Sequence, residues 1–266
     1  MRIRETLLIL MLASSPALAQ PAPLTGMVGA GMGYYERRTS DQSIRAYTVP
    51  VFLPLEATLG RFYLTGSLEY ARREMEGATE ASSEGLNFVN MEGRFRAIDS
   101  RNLRLTFMEI AGVSTARGSS SLPPESRLAD GYRFDSAMSL QYRIERLSFE
   151  LKGGQIANRT RGDFRPGDIR SGGLSMGFGL GAYNNEAWPV NLVLGVTSQF
   201  YGADRFAGED LPGTEYGTVF FSPGLMLSGK SLALRAGLDF PIRHLGAEDA
   251  YRDKVRANIG LRYFLQ

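Results

Sequence analysis

From Leu24 onward the chain alternates apolar and polar positions with a period of two, and almost no helical periodicity shows. The last segment is the clearest. Val255, Ala257, Ile259, Leu261, Tyr263 and Leu265 fall on one face; Arg256, Asn258, Gly260, Arg262, Phe264 and Gln266 fall on the other. Side chains alternate across a strand, so such a segment has one oily face and one polar face. Leu232–Arg243, Tyr132–Glu145, Leu147–Lys152 and Leu174–Gly181 repeat the pattern. Applied throughout, it predicts twelve strands: Leu24–Arg37, Ile44–Leu59, Arg61–Arg73, Leu86–Ile98, Asn102–Val113, Gly131–Glu145, Arg146–Ile156, Ser171–Tyr183, Trp188–Tyr201, Glu215–Leu227, Lys230–Arg243 and Arg252–Leu265. The phase slips near Glu109 and Ile110, where either a bulge or a misplaced strand boundary is expected. Pro50, Pro54, Pro223 and Pro241 fall inside strands and predict bulges or ladder ends, because proline has no N–H to donate.

Two features separate a membrane barrel from a soluble sandwich. Ordinary strands run about 5–6 residues, whereas a tilted bilayer-crossing strand needs about 9–11, and these are longer still. The connections also alternate. Short ones fall at Gly60, Asp99–Arg101, Glu145–Arg146, Asn184–Ala187 and Ser228–Gly229; long ones fall at Arg73–Gly85, Ser114–Asp130, Ala157–Arg170, Gly202–Thr214 and His244–Tyr251, with a modest one at Arg38–Ser43. Outer-membrane barrels have short periplasmic turns and longer extracellular loops. The expected fold is therefore all-β: a transmembrane antiparallel up-and-down barrel of about twelve strands with both termini in the periplasm. A closed sheet satisfies every backbone donor and acceptor, as lipid demands. Tyr34, Tyr35, Tyr70, Tyr132, Tyr183, Trp188, Phe200, Tyr201, Tyr216 and Tyr263 lie near strand ends, where headgroup-level aromatic girdles are expected.

Ahead of the strands, Arg2 and Arg4 precede an apolar run from Leu7 to Ala13 and the small-residue end Ala17-Leu18-Ala19. That order is a secretory signal peptide. Residues 1–19 are thus a leader and residues 20–266 the barrel. Removing Arg2, Arg4 and Glu5 takes the 30 basic and 28 acidic side chains of the whole 266-residue chain to 28 and 27. Such near-neutrality argues against nucleic-acid binding. Zero Cys excludes disulfides and thiolate chemistry. An exported, cysteine-free chain rich in Arg reads as bacterial envelope material, with its place in the outer membrane.

If the apolar face meets lipid, the polar face lines the lumen, since an outward Arg costs about 2–4 kcal/mol at the bilayer midplane. The strict alternation puts Arg94, Arg96, Arg104, Arg133, Arg143, Lys152, Arg235, Arg243, Arg256 and Arg262 inside, facing Glu56, Glu69, Glu92, Asp135, Glu145, Glu150 and Asp239. Of these, Arg94, Arg96, Arg104, Arg133, Asp135, Arg143, Glu150, Arg235, Asp239, Arg256 and Arg262 are the candidate selectivity residues, because rings of charge set pore selectivity. The alternative is a salt-bridge network that plugs the lumen. Eight strands leave a filled interior and sixteen a channel; twelve lies between. Inward glycines (Gly29, Gly31, Gly33, Gly177, Gly179, Gly181) either widen the passage or relieve the curvature of the closed sheet.

Chemistry beyond passage finds little support. The sole His, His244, lies at the start of a predicted loop between Arg243 and Leu245 without a paired serine, so no hydrolase site is expected. Loop carboxylates (Glu74, Glu76, Glu80, Glu84, Glu125, Asp130, Asp163, Asp168, Glu209, Asp210, Glu248, Asp249) lack EF-hand spacing, and no metal or cofactor is expected. Expected partners are outer-membrane lipid and lipopolysaccharide, a small-molecule solute, and the barrel-assembly machinery acting on the C-terminal strand.

Phe221-Ser222-Pro223-Gly224-Leu225, Ser231–Pro241 and Gly260-Leu261-Arg262-Tyr263-Phe264 together resemble the family labelled "MetA-pathway of phenol degradation". The resemblance covers a serine-proline-glycine strand, a hairpin into a strand ending in proline, and a closing aromatic strand. It implies an outer-membrane transporter, with hydrophobic or aromatic compounds as solutes and no catalytic residues. One departure is that Leu265 and Gln266 follow Phe264, where barrel-insertion signals end on an aromatic residue. The readings weighed are a passive channel for small solutes, a plugged structural or adhesion barrel, and an envelope-lipid enzyme.

Overall fold

The structure, a computed structural model, describes residues 27–38, 42–59, 61–77, 80–115, 131–160, 163–180, 190–228, 232–247 and 250–264. The leader, the expected turn at 184–187, Tyr183, Trp188, and the loop acids Glu125, Asp130, Glu248 and Asp249 lie outside them.

Twelve long strands carry the alternation: β1 Met27–Arg38, β2 Gln42–Leu59, β3 Phe62–Gly77, β4 Ala81–Asp99, β5 Leu103–Ser114, β6 Gly131–Ile144, β7 Leu147–Thr160, β8 Ile169–Leu180, β9 Val190–Tyr201, β10 Tyr216–Ser228, β11 Leu232–Leu245 and β12 Arg252–Phe264. Each pairs antiparallel with its chain neighbours, and β1 pairs β12 from Met27↔Phe264 to Arg38↔Arg252, which closes the ring. The oily stripe faces outward. Met91 and Leu174 are 58% exposed, and Leu151, Phe178, Leu192, Phe240 and Leu261 stand out in the same way. No hydrophobic effect in water tolerates such a surface on this scale; lipid does.

The strand ends depart from the sequence expectation in one consistent way. The 73–85 connection is largely strand, because β3 and β4 pair as far as Met75↔Ala81. Glu74, Glu76 and Glu84 therefore sit in strands rather than in a loop. Likewise β7 reaches Thr160, and the 157–170 and 202–214 connections hold a small three-stranded sheet of Phe164–Arg165, Arg205–Phe206 and Glu209–Asp210. Beyond the lipid band the outward face of a strand meets water, so the oily outward stripe has no reason to persist there.

Pro54 and Pro241 fall at register shifts, between Phe52 and Glu56 and between Val219 and Phe220 respectively. Pro50 and Pro223 sit where the pairing with β1 and with β11 is interrupted without a shift. The expected bulge at Glu109 is absent: β5 pairs β6 without a break from Leu103↔Tyr142 to Val113↔Tyr132. Instead Glu109 lies on the outward face and accepts a 2.6 Å hydrogen bond from the Ser136 hydroxyl. The slip in polarity is a carboxylate satisfied by its cross-strand neighbour.

Candidate solute passage

The lumen has two unlike halves. Toward the short turns it opens into a cavity of about 840 Å³. Its β8–β10 wall is built from small side chains, among them Ser175, Gly177, Gly195, Thr197, Ser222 and Gly224. Gly177 leaves room for Ser148, whose hydroxyl would lie 2.4 Å from an added Cβ. The inward glycines of β1 serve packing instead, since a Cβ on Gly33 would meet the Thr48 hydroxyl at 2.6 Å.

Six of the eleven candidate residues line this cavity: Arg104, Asp135, Arg143, Glu150, Arg235 and Asp239. Glu150 accepts a 3.1 Å hydrogen bond from Gln141, and the Arg143 Nε donates to the Glu145 carbonyl at 3.4 Å. Three more belong to networks on the β3–β6 side. Arg133 pairs with Glu69 at 3.3 Å, reaches Asn90, and stacks 4.6 Å over the Phe88 ring. Arg94 pairs with Glu92. Arg96 shares Asp99 with Arg104, at 3.2 and 2.9 Å, and stacks on Tyr63. Arg262, opposite Gly29 and Ala233, lies toward the short-turn end of β12.

The eleventh, Arg256, belongs to the other half. Near the long-loop end a bulge sets Arg37 opposite Asp253 and Tyr35 opposite Arg256. The extra residue turns both Asp253 and Arg256 toward the same cluster, three positions apart. Asp253, with no exposed side-chain area, pairs with Arg37 at 3.5 Å and Arg256 at 2.9 Å. Arg37 stacks on Tyr35, Tyr201 and Tyr216, and Arg256 on Phe220. Arg256 also donates to the Tyr201 hydroxyl at 2.6 Å and to Gln199, a residue at the edge of the cavity.

Above it, Tyr201 and Tyr216 stack with centroids 4.5 Å apart. They pack with Ile44 and Met75 of β2 and β3 and with Ala250 and Tyr251 of the β11–β12 connection. Since β3 and β9 stand six places apart in the ring of twelve, this cluster crosses the lumen from wall to wall.

Several expectations need correction. Tyr35, Tyr201 and Tyr216 are interior residues, whereas Tyr70, Tyr132, Phe200 and Tyr263 do stand exposed as girdle positions should. The register shift in β11 pairs Arg243 with Val219, so it leaves the inward row. Glu145 is a turn residue at φ +49°, not a wall residue. The side chain of Glu56 lies outside the described residues. His244 lies within β11 rather than in a loop, its Nδ1 3.4 Å from the Thr218 hydroxyl. Sequence reasoning missed Arg37, Asp253, Tyr201, Tyr216 and Phe220 as one group, because a bulge brings Asp253 to Arg37 and Arg256 while Tyr201 and Tyr216 meet through the β9–β10 register.

No family model matches the sequence, and no curated protein does. Solved structures match along nearly the whole chain. An outer-membrane channel from Pseudomonas putida F1 matches at TM-score 0.63 and 12% identity, over 95% of this chain and 100% of that one. The β domain of the Bordetella autotransporter BrkA gives 0.54 and 15%, over 90% and 99%. The translocator domain of the autotransporter NalP from Neisseria meningitidis gives 0.51 and 12%, over 98% and 95%. The fold is that of an outer-membrane β-barrel.

Proposed function

We propose that the chain is a channel of the bacterial outer membrane that passes small solutes through a narrow charged lumen. In this reading residues 1–19 direct export, the short turns face the periplasm, lipid and lipopolysaccharide surround the wall, and the assembly machinery engages β12. The observation that carries it is the cavity of about 840 Å³, lined by charged and polar side chains, within a barrel whose outside is oily. A plugged structural barrel would have no use for a wall of small side chains beside that space. The likeness of residues 221–225, 231–241 and 260–264 to the phenol-degradation transporter family belongs to this proposal and rests on those residues alone; it favours hydrophobic or aromatic solutes.

One observation favours the second reading, a plugged barrel: the Tyr201–Tyr216–Tyr251 cluster crosses the lumen near the long-loop end. Planar-bilayer recording separates the two. A channel gives discrete openings from the purified full chain, larger in Tyr216→Ala. A folded wild type that stays silent while Tyr216→Ala conducts establishes the plugged barrel. Silence in both contradicts the channel.

A further inference from the structure

Charge is distributed unevenly along the barrel axis. Arg101 and Arg146 sit in the short turns, and Arg104, Arg143 and Arg235 occupy nearby strand positions, all lining the cavity mouth. Two acids stand at this level: Asp99, already held between Arg96 and Arg104, and Glu145, in the β6–β7 turn outside the residues that line the cavity. Over the whole cavity six basic side chains (these five and Lys152) meet three acidic ones, Asp135, Glu150 and Asp239. Arg146, Lys152 and Arg235 make no side-chain hydrogen bond or ion pair among the described residues. Their placement is not one-sided: β11, which carries Arg235, stands six places from β5 and four from β7 in the ring. The free cations therefore reach into the space from separate walls.

We propose that this cavity is a vestibule selecting small organic anions, with Arg146, Lys152 and Arg235 as the selecting groups and carboxylates as the solute class. The proposal rests on the channel reading and deepens it. Guanidinium groups match the two oxygens of a carboxylate as forks. The neutral remainder of the wall, including Gln141, Ser148, Asn191 and Asn258, supplies hydrogen bonds without fixing a solute in place. Conduction needs that balance, binding strong enough to enter and weak enough to leave. A mouth lined by one sign of charge also concentrates counter-ions, an effect that fades as salt rises.

The experiment is reversal-potential measurement in asymmetric KCl, with chloride then replaced by succinate. The full chain should be anion-selective, and succinate should block the chloride current. Arg235→Gln and Lys152→Gln should each lower the anion-to-cation permeability ratio about sevenfold at low salt, because one charge seen through water at about 7 Å gives a Boltzmann factor of about three that acts in opposite senses on anion and cation. Arg72→Gln, at the opposite end in the β3–β4 hairpin, should leave the ratio unchanged. Cation selectivity, or a ratio indifferent to both lumen variants, overturns the vestibule while sparing the channel. A protein that does not conduct overturns the channel; calorimetric titration with sodium succinate in detergent then decides the vestibule alone. Binding weakened about threefold by Arg235→Gln supports it by the same one-charge estimate, and no binding rejects it.

Discussion

Asp253 is the residue on which the closed half of the lumen turns. It sets one carboxylate between two guanidinium groups, with no water-exposed area of its own. Removing one partner of a buried ion network leaves uncompensated charge and costs about 3–5 kcal/mol. Asp253→Ala should therefore lower the unfolding midpoint in detergent strongly, whereas Asp239→Ala, on the open cavity wall, should leave it nearly unmoved; equal midpoints would contradict the network. These two aspartates also show how far residues can be read from sequence. Asp239 stands in an unbroken alternation, so its place on the lumen wall is legible in Leu238-Asp239-Phe240. Asp253 is hidden by a bulge that sets two residues against one, and nothing in Arg252-Asp253-Lys254-Val255 marks it as inward. Tyr201 and Tyr216 failed for a related reason: an aromatic near a strand end is equally at home in a headgroup girdle or a mouth cluster.

At the scale of elements, the alternation reports where lipid lies rather than where a strand ends. All twelve long strands were legible through their oily faces. The outer parts of β3 and β4, Glu74 to Gly77 and Ala81 to Gly85, were not, since no oily outward stripe continues there and the apolar Met75 and Ala81 pack inward against the mouth cluster. The β6–β7 turn illustrates local chemistry that the period cannot show. Glu145 adopts φ +49°, a left-handed conformation that costs a residue with a Cβ about 1–2 kcal/mol. Glu145→Gly should thus stabilise the barrel by about 1 kcal/mol, less what glycine loses in chain entropy, seen as a higher thermal midpoint. A lower midpoint would mean that the Glu145 side chain holds the turn in some other way. Gly131 is the converse case: at φ +149° an added Cβ would stand 1.9 Å from the Arg159 carbonyl oxygen. Only glycine fits there.

For the whole molecule, ring closure, outward oil and inward charge are one statement. Twelve strands enclose more space than side chains of this size fill evenly, and the chain divides it: an aromatic and ion-paired bridge at one end, a cationic vestibule at the other. The first division was not legible, because it depends on which strands face each other across the ring. The second was legible in outline, since Arg104, Arg143 and Arg235 follow from alternation alone. Because the chain has no cysteine, the two faces of one strand can be probed directly. Leu151 and Lys152 are adjacent in β7 and belong to opposite faces. In reconstituted vesicles, Leu151→Cys should react with a bilayer-soluble thiol reagent and resist a charged water-soluble one, and Lys152→Cys should show the reverse. Equal reactivity of both toward the charged reagent, or the opposite preference, would contradict a barrel with lipid outside and water within.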